Sequence, residues 1–156
     1  MSKINAGTFQ YIENWKLTTI DRFSGQIIDE RNICNTIVND GLERMADLLI
    51  DNGSPTNFKA LAIGTGTTAV TNSDTSLETE YTRELATLSK DSVYVAKFYK
   101  VFTFGSGVSE DITEAGIFDN AIASGSKMLA RLVFSALSIS ADVDLIVSAT
   151  VTVARV

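Results

Sequence analysis

The chain has 156 residues, with 13 basic and 19 acidic side chains, one cysteine, one proline and no histidine. A hydrophobic fraction of 45% with 21% charged residues is that of an ordinary globular domain. Its length fits a single unit that buries roughly 70% of its extended surface on folding. The missing histidine excludes Ser-His-Asp and Cys-His nucleophile systems, His-ligated zinc, haem with a proximal His, and charge switching near neutral pH.

A formal charge of −6 disfavours nucleic acid as a partner, because phosphate binding needs clustered Lys and Arg. The densest basic patch is only Lys97 with Lys100. A lone Cys34 permits no intrachain disulfide. The opening residues contain no apolar signal core, and nowhere do 18 apolar residues run together, so neither a secretion signal nor a membrane span is expected.

In chain order, residues 1–12 read as an extended N-terminal arm and residues 13–156 as one domain. Glu13 to Ile20 is β-prone, with Trp15, Leu17 and Thr19 on one face. Asp21 to Gly25 supplies turn chemistry, and Gln26 to Cys34 returns as the second arm of a hairpin. Asp40 to Ile50 predicts the one helix: Asp40 as N-cap with Glu43 at capping-box spacing, and Leu42, Met45, Ala46 and Leu49 as an apolar stripe. Gly53 and Pro55 end it.

Phe58 to Ile63 is a short apolar run expected of a buried strand. Gly64 to Asp74 reads as loop, and Leu77 to Leu85 as a helical turn or irregular segment. Val93 to Phe104 is the longest strand candidate, apolar on both faces and therefore central or pressed against a neighbouring subunit. Ile112–Phe118 and Met128–Phe134 are further strands, joined by a small-residue loop. Val143 to Val156 alternates as a half-buried antiparallel strand. The fold class expected is mainly β, an antiparallel β-sandwich or jelly-roll-like barrel with one short helix at about 40–50.

The glycine-rich stretch Ile63-Gly64-Thr65-Gly66-Thr67-Thr68 invites comparison with phosphate loops. It has no Lys at the P-loop position, and no third glycine or following helix for a dinucleotide fold, so Gly64 and Gly66 read as structural turn glycines. The carboxylates form no recognisable catalytic pair, and Asp51-Asn52-Gly53-Ser54 lacks calcium-loop spacing. No catalytic, metal or cofactor-binding residue is assigned, and no enzyme activity is expected. Cys34 reads as a small buried hydrophobe. Phe9, Tyr11 and Trp15 are the candidates for subunit or partner contact, with core burial the competing reading for Trp15.

The order of short motifs is more informative than any one of them. Asn39-Asp40-Gly41-Leu42 is followed by Ala62-Ile63-Gly64-Thr65-Gly66-Thr67-Thr68-Ala69. Then come Asp74-Thr75-Ser76-Leu77-Glu78-Thr79-Glu80 with Arg83, Ile112-Thr113-Glu114-Ala115-Gly116-Ile117-Phe118, and Met128-Leu129-Ala130-Arg131. Over roughly residues 25 to 135 this resembles a family of small structural proteins of tailed bacteriophages. The resemblance implies a virion protein, made in the host cytoplasm, that partners copies of itself (a homo-oligomer such as a trimer) and the major capsid protein or neck, tail or baseplate proteins. Capsid decoration is the favoured placement, because the chain is one domain without a fibre shaft. In such a role Gly64, Gly66 and Gly116 permit tight turns or close strand approach, and Glu78 or Glu80 pairs with Arg83 or Arg131 to fix loops. The alternative is a carbohydrate-binding adhesion module stacking sugars on Trp15, Tyr11 or Tyr99.

Overall fold

The structure is a computed structural model that describes residues 9–35 and 37–155. It contains β1 (Phe9–Asp21), β2 (Ile27–Asn35), α1 (Asn39–Ile50), β3 (Ala60–Gly64), β4 (Glu80–Leu85), β5 (Thr87–Ser92), β6 (Val95–Phe102), β7 (Ser109–Phe118), β8 (Met128–Ser140) and β9 (Val143–Arg155). The strands form two antiparallel sheets, ordered β2-β1-β9-β6-β5 and β4-β3-β7-β8. Packed face to face they make a β-sandwich, as the sequence predicts.

Period-two alternation produces the core. On β1 and β9, Trp15 pairs with Ala149 and Leu17 with Val147, and all four side chains are buried between the sheets. Leu61 and Ile63 of β3, Ala115 and Ile117 of β7, and Leu132 of β8 meet them from the other sheet. β3 is buried along its whole length, because Ala60 and Ala62 face a second, smaller core with Val38, Leu77, Phe118 and Met128. A residue buried on both sides of a sheet must be apolar or small at every position, and ALAIG meets that condition.

The hairpin turn forms as expected. The Asp21 carboxylate accepts the N–H groups of Phe23 (3.1 Å) and Ser24 (2.7 Å), which holds that carboxyl below its usual pKa, and Gly25 adopts φ +71°. The other boundaries shift. The arm predicted over 1–12 is strand from Phe9 onward, paired with Arg155 to Thr152; residues 1–8 lie outside the described residues. The segment expected as a helical turn over 77–85 becomes β4 from Glu80, and Ala86 alone links it to β5 in the opposite sheet. β6 is internal, between β5 and β9, with Phe98 and Phe102 buried.

The helix forms, but not with the predicted cap. Val38 is the N-cap, without a side-chain hydrogen bond. Asp40 sits in the first turn, where its carboxylate accepts the Met128 N–H (2.8 Å) and the Lys127 ammonium (2.9 Å). Tertiary partners have taken the oxygen that a capping box would use. The stripe is corrected too: Met45 touches the core, whereas Leu42, Ala46 and Leu49 are exposed, Leu49 at 84%. Gly41 is the docking point, since a Cβ there would stand 2.6 Å from the Leu129 carbonyl oxygen of β8.

Candidate functional site

The motif residues converge on one polar cluster beneath the 64–80 loop. β7 presents Glu114 and β8 presents Arg131, on the side of the four-stranded sheet away from the main core. Both are buried, and Arg131 Nε donates to Glu114 Oε2 at 2.9 Å. Each interrupts an otherwise apolar strand, ITEAGIF and MLARLVF. Register explains how they meet: Gly116 pairs with Arg131 and Glu114 with Val133, so the arginine lies one same-face step along from the acid.

Glu114 accepts four hydrogen bonds. Its Oε1 takes the N–H of Gly66 (3.0 Å) and Thr79 (2.7 Å), while Oε2 takes the Glu78 N–H (3.0 Å) and Arg131. One carboxylate therefore holds both ends of the loop against the sheet. Arg131 extends the network to Asp74 through Nη1 (2.9 Å) and stands 3.7 Å from Glu78. Those carboxylates are themselves occupied. Asp74 accepts the Thr71 hydroxyl and N–H, and Glu78 accepts the N–H groups of Thr67 and Thr68 and the Thr68 hydroxyl.

Protonation states follow. Burial works to raise the Asp74 pKa, but the Thr71 hydrogen bonds and Arg131 outweigh it and hold the carboxyl low. The Thr68 hydrogen bonds lower that of Glu78. Burial opposes the charge on Arg131, and its bonds to Asp74 and Glu114 more than restore it. Asp74, Glu78 and Arg131 therefore carry their charges at neutral pH and fasten the loop as ions.

The glycines fit the same geometry. A Cβ at Gly64 would stand 2.6 Å, and one at Gly66 2.5 Å, from Glu114 Oε1. The carboxylate that fastens the loop requires glycine at 66, and at 64 it does so together with the Thr79 carbonyl oxygen, which a Cβ there would meet first. Gly116 leaves room for Leu77, which would lie 3.1 Å from a Cβ there, and for the Phe118 ring at 2.9 Å. The sequence assigned turns and close approach to Gly64, Gly66 and Gly116; close approach is what the structure places there.

A second anchor is Arg83. Its guanidinium forks onto Glu80, donates to Ser126 Oγ (2.7 Å) and the Asn120 carbonyl (3.3 Å), and lies 3.5 Å from the Phe118 ring centroid. Arg44 pairs with Asp119 at 3.0 Å. The expected pairings of Glu78 or Glu80 with Arg83 or Arg131 thus resolve as Glu80 with Arg83, and Glu78 near Arg131.

The aromatic candidates separate. Trp15 is 1% exposed and belongs to the core, so it offers no stacking or docking surface. Tyr11 packs partly buried against the same core. Phe9 begins β1, and its side chain lies outside the described residues. Tyr99 stays partly exposed on the outer face of the five-stranded sheet. Cys34 is exposed rather than buried, because its strand position points outward beside Asn14, whose side-chain oxygen accepts from the thiol at 3.0 Å.

Sequence reasoning missed Glu13. It is fully buried between the sheets, and neither its carboxyl oxygens nor the nearby Trp15 Nε1 has a hydrogen-bond partner among the described residues. Burial, the dominant cause, raises its pKa to about 8. The signal was available, since Glu13 precedes Trp15 and Leu17 at period two and must share their inward face. Among the described residues, no group of three acidic or thiol side chains is placed to hold a metal ion, and no helix is long and apolar enough to cross a membrane. Comparison with protein-family models, curated proteins and solved structures returned no significant match.

Proposed function

We propose that this chain is an accessory structural protein of a tailed-bacteriophage virion, one that self-associates and attaches to the capsid as decoration or to the neck, tail or baseplate. The resemblance in the motifs supplies the virion context. The observation that carries the structural role is where those motif residues point. Gly66, Asp74, Glu78, Glu114 and Arg131 all direct their polar groups at one another, so the polar chemistry of the motifs is engaged in closing a loop rather than presented to a ligand. A loop held by a buried ion pair and backbone hydrogen bonds is a rigid surface suited to repeated contact with a neighbour.

The outward stripe of α1 points the same way, because a contiguous exposed apolar face marks an interaction surface. Such binding stabilises a particle by mass action. Purifying particles and mapping them by cryo-electron microscopy tests the reading. Density for the domain in regular arrays on the shell, or in a ring at the neck or tail, supports it; particles lacking the protein sink it. The carbohydrate-binding alternative loses Trp15 as a platform and would rest on the exposed Tyr94 and the half-exposed Tyr99. A glycan array without binders removes it.

A further inference from the structure

The turn that ends α1 holds the pair Asn52-Gly53, in the stretch that lacks calcium-loop spacing. It is the only asparagine in the chain followed by glycine. Both residues are exposed, and a Cβ at Gly53 would have nothing within 4 Å. Gly53 takes φ +72°, flanked by Asp51 at +53° and Ser54 at +51°, two non-glycine residues in the left-handed region. The Gly53 N–H donates to no acceptor among the described residues. The same chain supplies a contrast in Asp40-Gly41. There the Gly41 N–H donates to the Val38 carbonyl (3.0 Å), and the buried Asp40 carboxylate is held by Lys127 and the Met128 N–H.

We propose that Asn52 is a site of spontaneous deamidation in the folded protein. Asparagine is among the chemically labile residues, and here the nucleophile that it needs is its own neighbour. A glycine nitrogen has no adjacent side chain to shield it, and an exposed turn leaves the backbone room to close a ring. The Gly53 nitrogen loses its proton and attacks the Asn52 Cγ. The Cγ–Nδ2 bond breaks, and the side-chain nitrogen leaves as ammonia, taking up a proton. The resulting five-membered succinimide adds water at either carbonyl and opens to aspartate or isoaspartate. Water is consumed, ammonia is released, and no oxidation state changes. At Asp40-Gly41 the same ring cannot close, because the helix holds the nitrogen and the tertiary bonds hold the carboxylate.

The product fits poorly where it forms. The Asn52 side-chain amide donates to Asp47 Oδ1 (2.9 Å), and the Asn52 N–H donates to the Asp47 carbonyl (3.0 Å). Deamidation replaces the side-chain donor with a carboxylate that can only accept, facing another carboxylate. It also adds negative charge at a helix C-terminus with no basic residue in its last turn, the end at which the macrodipole disfavours an anion. Isoaspartate further routes the backbone through Cβ and lengthens the turn. The last turn of α1, which carries the exposed Leu49 and Ile50, is therefore the part that loosens as the protein ages. This chemistry belongs to the free chain and does not rest on the virion reading.

The test incubates the folded full chain at mildly alkaline pH and follows residue 52 by peptide mass mapping, with enzymatic methylation of isoaspartyl groups as the second readout. Asn52 is expected to lose its amide ahead of every other asparagine among the described residues, with isoaspartate exceeding aspartate. The rate should rise with pH as the Gly53 nitrogen is more often deprotonated. Asn52→Gln, which does not readily close a five-membered ring, should keep its amide over the same period; unchanged melting confirms that it folds. Amide exchange over Asp47 to Asn52 should accelerate in the aged protein, and Asn52→Asp should reproduce the part of that effect due to charge. Three results overturn the inference. They are an Asn52 that persists in the folded protein while the urea-unfolded chain loses it, isoaspartate forming at Asp40 as fast as at Asn52, and an aged protein whose helix exchange is unchanged.

Discussion

Replacing Glu13 by Gln should stabilise the protein at neutral and alkaline pH. The carboxyl is fully buried, unpartnered among the described residues, and has its pKa raised from 4.5 to about 8. The folded state then binds a proton that the unfolded state has released throughout that interval, so stability is greatest below about pH 4.5 and falls as pH rises through about 8. At about 1.4 kcal/mol per unit, the full loss is about 5 kcal/mol, with about 3 kcal/mol of it gone by pH 7. Against a typical domain stability of about 5–15 kcal/mol this is large enough to measure without ambiguity. Glutamine keeps the volume and cannot ionise, and it leaves about the same unsatisfied polar atoms as the protonated acid. Urea denaturation of both proteins at several pH values between 5 and 9 is the assay. The midpoints should nearly coincide at pH 5 and diverge steadily, the variant becoming the more stable. Parallel pH profiles, or a variant less stable at pH 9, would refute the argument that an uncompensated charge lies between the sheets.

The polar cluster should respond in the opposite sense. Asp74 and Glu78 have depressed pKa values, so their contribution is complete above the ordinary carboxylate range and is lost as pH falls through their folded values; amide exchange of residues 65–79 should accelerate there before the core strands open. Glu114→Gln turns an acceptor of four hydrogen bonds toward donors and leaves Arg131 under-compensated, which should cost about 3–5 kcal/mol in chemical denaturation. Gly66→Ala places a methyl group against Glu114 and should cost about 2–3 kcal/mol, whereas Gly105→Ala, with nothing within 4 Å of the new carbon, should be neutral within about 0.5 kcal/mol. Gly41→Ala should lift α1 from β8 and expose Met45, visible as a lower melting temperature and faster exchange in the helix.

Much of the sandwich was legible because alternation is a local signal. Trp15-Lys16-Leu17 and Val143 to Val153 announce strands buried on one face, and ALAIG announces one buried on both. β4 and β5 were not legible: TLSKDS is exposed at every position, so it carries no hydrophobic period, and it is strand only because β6 offers backbone partners. The helix was readable as a helix, but its orientation was not. An apolar stripe normally faces the core, and here a glycine and an aspartate on the other side determine the docking. The glycines pointed to close approach, yet what approaches, the Glu114 carboxylate, is distant in sequence. Opposite charges set inside two apolar strands, Glu114 and Arg131, were the signal that could have joined them.

The pairing of β1 with β9 along thirteen residues has a kinetic consequence. These strands lie side by side within one sheet although they are the first and last elements among the described residues, so the longest ladder described there joins strands far apart in the chain. Contacts of such separation slow folding, because loop entropy is lost before they reward it. During synthesis β1 can pair with β2 early, but its other edge stays unpaired until β9 has left the ribosome. The nascent domain therefore depends on remaining soluble through that interval, and the polar residues on the alternate face of β1, Asn14 and Lys16, stand where they can delay its pairing with the wrong strand.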